Sequence, residues 1–218
     1  MQKRELGAEM RKGLAVLLLA APALCAQKWH FAALAGYGMA PAATANWGSE
    51  KADVGLKSGA VIGVAAGQEL YERLGGEFRY LFRFSELKLA GRGTEVHFAG
   101  RSHLLHYDLL IFGRGGQAPV RPYLAVGGGA RVYQGTGQEA AYQPLSQFAI
   151  LTRTRQVTGM ASLGGGLKVR VGQRSWIRWE FRDYLTPFPK TVIAPGRAAE
   201  IRGWVHDLTG LAAVGVSF

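Results

Sequence analysis

The sequence predicts an all-β chain in which eight antiparallel strands close into an up-and-down transmembrane β-barrel, preceded by a cleaved signal peptide. Three observations carry this. Apolar residues recur at every second position, the mark of strands with two different faces. The breaks between these stretches alternate long and short along the chain, so long connections gather at one end and short turns at the other. The final stretch keeps the alternation and stops on an aromatic residue, Phe218. Composition fits: 48% of residues are hydrophobic and only 19% are charged, as expected if one face of every strand avoids water. Glycine is 31 of 218 residues, about twice the usual ~7%.

Residues 1–26 read as an address. Arg11 and Lys12 form a basic start, residues 13–21 form an apolar run, and Pro22 breaks it before small residues. This is the layout of a secretory signal peptide, and the run is too short to span a bilayer as a helix, which takes about 20 residues. Cleavage is expected after Ala26 or after Cys25, and Met10 is a candidate true start. A lipid anchor on Cys25 is disfavoured because a lipobox needs a small residue at the position of Leu24. Cleavage after Ala26 removes the single cysteine, which suits an oxidising compartment. It also removes four bases and two acids, lowering the net charge from +11 to +9. Export removes the nucleic-acid reading that such a charge would otherwise invite.

The mature domain, residues 27–218, offers eight strands. In chain order they fall near residues 29–39, 59–66, 77–85, 105–111, 123–133, 159–171, 177–182 and 203–218. The third is the clearest: Phe78, Tyr80, Phe82 and Phe84 share one face, while Glu77, Arg79 and Arg83 share the other. In the fourth, Leu105, Tyr107, Leu109 and Ile111 stand against His106 and Asp108. In the seventh, Ile177, Trp179 and Phe181 stand against Arg178, Glu180 and Arg182. Long connections are expected over residues 40–56, 88–96, 134–156 and 186–202, and short turns over 68–73, 113–118 and 172–174.

Alternation alone does not say which face looks inward. Size and charge do. An eight-stranded barrel has an interior that side chains just fill. The Phe78–Tyr80–Phe82–Phe84 row would crowd it, whereas glycine, serine and paired charges would fit. The aromatic row is therefore expected outside, against lipid.

The chain ends with Leu208, Ala212, Val214, Val216 and Phe218 on one face. This resembles the C-terminal signal of bacterial outer-membrane barrels, which the barrel assembly machinery reads. Together with the stretches Gly75-Gly76-Glu77-Phe78-Arg79-Tyr80 and Arg121-Pro122-Tyr123-Leu124-Ala125-Val126-Gly127-Gly128-Gly129, the whole mature chain resembles the OmpA-like eight-stranded outer-membrane β-barrel family. The resemblance implies an integral outer-membrane location and, in biogenesis, Phe218, Val216 and Val214 as the assembly signal. It implies little about activity, because one fold hosts many functions.

Candidate functional residues are the inward charges Glu77, Arg79, Arg83, His106, Asp108, Arg178, Glu180 and Arg182, with Arg131, Lys168 and Arg170 as further members. Unpaired buried charge is expensive, so these are expected to pair into a closed network. No cofactor, metal site or catalytic group is expected. His103 and His106 fall on opposite strand faces, as do His206 and Asp207. The Gly127–Gly129 and Gly164–Gly166 runs lack the following helix and Lys-Ser/Thr of a phosphate loop. Trp29, Tyr37, Tyr107, Tyr123, Trp176, Tyr184 and Trp204 are candidates for the interfacial girdles of a membrane barrel. Basic loop residues Arg92, Arg101, Arg153, Arg155, Lys190, Arg197 and Arg202 are placed to meet lipopolysaccharide phosphates or water.

The leading expectation is a monomeric, non-enzymatic outer-membrane barrel with a structural or surface-binding role, surrounded by outer-membrane lipids and lipopolysaccharide. Two alternatives stay open. One is a narrow anion-favouring channel or solute-binding barrel. The other is a soluble lipocalin-like periplasmic barrel with the aromatic row inside. A barrel enzyme acting on envelope lipid lacks any recognisable nucleophile and base.

Overall fold

The computed structural model describes residues 28–218; the leader and Cys25 lie outside them. Fifteen strands follow in order: β1 (Trp29–Met39), β2 (Ala43–Trp47), β3 (Glu50–Leu56), β4 (Gly59–Tyr71), β5 (Leu74–Phe84), β6 (Leu87–Gly91), β7 (Thr94–Phe98), β8 (Gly100–Phe112), β9 (Val120–Gly135), β10 (Ala149–Leu151), β11 (Arg155–Arg170), β12 (Ser175–Pro187), β13 (Ile193–Pro195), β14 (Ala199–Ile201) and β15 (Trp204–Ser217). The eight long ones, β1, β4, β5, β8, β9, β11, β12 and β15, form a closed barrel in which each pairs antiparallel with its chain neighbours. The first strand closes the ring: Phe31 sits opposite Ala66 of β4 and opposite Val216 of β15. Closure leaves no edge strand, which lets a sheet satisfy its backbone in lipid.

The faces separate as the alternation requires. Phe78 is 51% exposed and Phe84 50%, while Glu77 and Arg79 between and beside them are 0%. Leu105, Tyr107, Leu109 and Ile111 also lie outside, with His106 and Asp108 buried. The apolar face thus looks outward and the charged face inward, the arrangement of a membrane-spanning barrel and the reverse of a lipocalin-like one. No helix of the described residues is long and apolar enough to cross a membrane.

The first short turn is tighter than expected. Residues 68–73 were expected as a turn, but β4 runs to Tyr71 and β5 begins at Leu74. Only Glu72 and Arg73 turn, with a register shift between Glu69 and Tyr71. Backbone pairing continues because it satisfies N–H and C=O groups more completely than an open loop would.

The long-loop end differs more. The long connections were expected as loops. Instead seven short strands arise within them and form two further sheets, β14-β2-β3-β6-β7 and β10-β13. The β6–β7 hairpin turns through Arg92 (φ 51°) and Gly93 (φ 76°), the two positive φ values that a type I′ hairpin turn demands. These strands cover the barrel end with an apolar core that includes Val54, Leu87, Leu89, Phe148, Leu151 and Ile193, joined to the barrel through Tyr133 and Val205. On its wet surface the Lys88 ammonium, 2.9 Å from Glu95, holds that carboxyl below its ordinary pKa.

Candidate functional site in the barrel lumen

The lumen is built by strand parity. On β5, residues Glu77, Arg79, Leu81 and Arg83 point inward; on β12, Trp176, Arg178, Glu180, Arg182 and Tyr184 do so. The barrel brings these two strands face to face across its interior, although they are about a hundred residues apart in sequence: the Arg79–Glu180 and Glu77–Arg178 pairs each have a separation of 101.

Six charges interlock in the central layer. The Arg178 guanidinium donates to both oxygens of Glu77, at 2.8 and 2.9 Å. Arg79 donates to Glu77 through Nε and forks onto Glu180, with Nη2 at 2.9 Å from Oε2. Arg182 lies 3.3 Å from Glu180 and 3.1 Å from Asp108. Three arginines thus meet three carboxylates, all within a tenth of full burial. Such two-point contacts are the strongest form of charge-assisted hydrogen bond. Two further groups close the rim: the Tyr123 hydroxyl donates to Glu180 and His30 Nε2 lies 2.9 Å from Glu77. His106 Nδ1 is 3.2 Å from Asp108, and its ring meets Tyr184 edge-on at 5.3 Å.

A second layer sits toward the covered end. Arg83 and Arg131 converge on Asp207, the latter at 2.7 Å. Arg83 also donates to the Gly38 carbonyl at 3.0 Å, and Arg131 to the Ser102 hydroxyl at 3.0 Å. Of the eight positions singled out from the sequence, six therefore form the central layer, His106 abuts it through Asp108, and Arg83 stands apart with Arg131 and Asp207. Lys168 is buried at the short-turn mouth, and Arg170 is exposed there.

Glycine makes room for these side chains. Gly127 faces Asp108 across the β8–β9 ladder and Gly164 faces Arg182 across β11–β12. A Cβ at either position would overlap the partner's backbone and the charged side chain itself. The glycine runs are thus space for large inward groups on the next strand.

Three aromatic residues correct the girdle expectation. Tyr123, Trp176 and Tyr184 are buried in the lumen, whereas Trp29, Tyr37, Tyr107 and Trp204 face outward. The reason is parity: Tyr123 shares its face with Arg121 and Arg131, and Trp176 and Tyr184 share theirs with Arg178 and Arg182. Sequence reading also missed His30 and Asp207 as lumen groups. The same parity would have found Asp207, since Val214 and Val216 face outward and odd positions of that strand therefore face inward.

At the chain end, Val214 and Phe218 are exposed on the outer wall. The Phe218 backbone N–H donates to the Trp29 carbonyl at 2.9 Å, and its ring meets Phe31 edge-on at 6.3 Å. Among the described residues no cluster of three or more His, Cys, Asp or Glu side chains could hold a metal ion.

No protein-family model matches the sequence, and no curated protein does. Solved structures do match. Neisserial surface protein A superimposes with a TM-score of 0.53 at 12% identity, covering 88% of this chain and 97% of that one. The outer membrane protein OprG from Pseudomonas aeruginosa gives 0.50 at 12% identity, covering 87% and 95%. Identity at this level speaks for fold. By its closed ring, its outward apolar face and these likenesses, the chain has the fold of the eight-stranded outer-membrane β-barrels.

Proposed function

We propose that this chain is an integral protein of the bacterial outer membrane with a structural or surface-binding role, whose lumen is closed and does not conduct. The observation that carries the reading is the central layer, where three arginines and three carboxylates bridge β5, β8 and β12 across the interior. An eight-stranded interior is just wide enough to be filled by side chains, and here the fill is cross-braced. The folded cover supports a surface role, since it presents an ordered face rather than open loops. Its basic residues, Arg92, Arg153, Lys190, Arg197 and Arg202 among them, suit the anionic outer leaflet. In this reading residues 1–26 are removed on export. Phe218, Val216 and Val214, set on the outer wall, serve the barrel assembly machinery, and the barrel works as a monomer without a cofactor.

Two measurements test it together. The folded protein should resist SDS until boiled and then change mobility on a gel. Reconstituted in planar bilayers, it should stay silent with both chloride and larger anions. Stable anion-selective steps from heat-shifting protein would replace the closed-lumen reading with the channel one.

A further inference from the structure

The short-turn mouth of the barrel holds a second charged site that the closed lumen does not need. A cavity of about 230 Å³ opens there between the ends of β4, β9, β11 and β12. Five cationic side chains line it: Lys28, Arg121, Lys168, Arg170 and Arg174. One side-chain carboxylate, Glu69, answers them.

That carboxylate is already committed. Glu69 pairs with Arg121, which is further fixed by donating to the Glu72 carbonyl at 3.0 Å and by stacking 3.9 Å from the Phe112 ring. Lys168 is left with Glu69 at 3.7 Å, beyond hydrogen-bonding range. Its ammonium lies 4.6 Å over the Trp176 ring, and its side chain is only 10% exposed. Among the described residues it has no hydrogen-bond acceptor. Arg170 donates to the Gln117 carbonyl at 2.7 Å, a neutral partner. Lys28, Arg170 and Arg174 have no carboxylate at ion-pair distance among the described residues. The largely buried Lys168 ammonium thus has only a long ion pair to a carboxylate that Arg121 already holds, and Arg121 and Arg178 beside it carry like charge. Cationic side chains outnumber acidic ones five to one around the cavity.

We propose that this mouth binds a phosphate group, carried by a small solute or by a phospholipid headgroup. Guanidinium forks match the tetrahedral oxygens of phosphate, and ammonium supplies a point charge beside them. The Trp176 ring forms an apolar wall for whatever carries the phosphate. Trp176 meets His30 edge-on at 5.8 Å, and His30 pairs with Glu77 of the central layer. The inference goes beyond the closed-barrel reading and does not depend on it, since a conducting lumen would still have this mouth.

The test is calorimetric titration of pyrophosphate into the full mature protein, folded in zwitterionic detergent and verified by its heat shift. Saturable binding is expected. Arg174→Glu, in an exposed turn, should weaken it by about tenfold or more, and so should Lys168→Gln. Arg155→Gln at the opposite rim should leave it unchanged. Nanodiscs of phosphatidylcholine with and without phosphatidylglycerol separate the sources. Weaker pyrophosphate binding in the anionic discs identifies a lipid headgroup, and equal binding identifies a soluble phosphate. No saturable heat from heat-shifting protein, or equal loss in Arg155→Gln and Arg174→Glu, would overturn the proposal.

Discussion

Glu180 shows what a single lumen residue does. It accepts from Arg79, Arg182 and the Tyr123 hydroxyl, and lies 3.8 Å from Arg178. A buried ion pair gains little net stability over a well-packed apolar pair, but removing one partner strands the other. Glu180→Ala leaves three arginines facing two carboxylates. It should lower stability by about 3–5 kcal/mol, read as a lower urea midpoint for the folded, SDS-resistant form. Glu180→Gln keeps the shape and part of the hydrogen bonding, so its loss should be smaller. Equal losses would show that charge rather than shape is what Glu180 supplies. The inward direction of Glu180 was legible from the alternation Trp179, Glu180, Phe181. Its partners were not, because Tyr123 was read as a girdle residue and Arg79 lies on a strand a hundred residues away.

At the scale of elements, the barrel strands and the covering strands behave differently. Barrel strands of 11 to 16 residues repeat their alternation enough times to be read. The covering strands have three to seven residues, too few for a period to stand out, and their apolar core is assembled from several connections at once. Leu87 and Leu89 alternate, but Leu89 read as part of the connection 88–96. The cover should therefore fold on the barrel without being needed for it. Leu89→Asp places a charge in a site that is 0% exposed, and should loosen the cover's backbone so that trypsin cuts at the surface residues Lys51, Lys88 and Arg92. The SDS-resistant, heat-shifting barrel should persist through that cleavage. Loss of the heat shift in the uncut variant would mean that cover and barrel fold as one unit.

For the whole molecule, the decisive property is that it is inside-out, with arginine and glutamate in the core and phenylalanine, leucine and valine on the wall. Leu105 lies near the middle of β8, 48% exposed on that wall. Leu105→Arg should cost about 2–4 kcal/mol of folding free energy in lipid, as expected for a charge facing the bilayer midplane. The same change in a water-soluble barrel would be nearly neutral. Refolding into vesicles and measuring the denaturant midpoint checks this, and an unchanged midpoint would argue against a lipid-facing wall. By itself the sequence determined the number of barrel strands, the two faces of the clearest of them and the segregation of long from short connections. Each of these is a local property, set by period two and by turn residues. The tertiary structure alone decided which charges meet. Glu77 with Arg178, Arg79 with Glu180 and Arg131 with Asp207 join strands distant in sequence. Those pairings depend on the register and closure of the ring, which no single strand encodes. The excess of cations at the short-turn mouth came from the same source, because only closure brings Lys168, Arg170 and Arg174 around one cavity with Lys28.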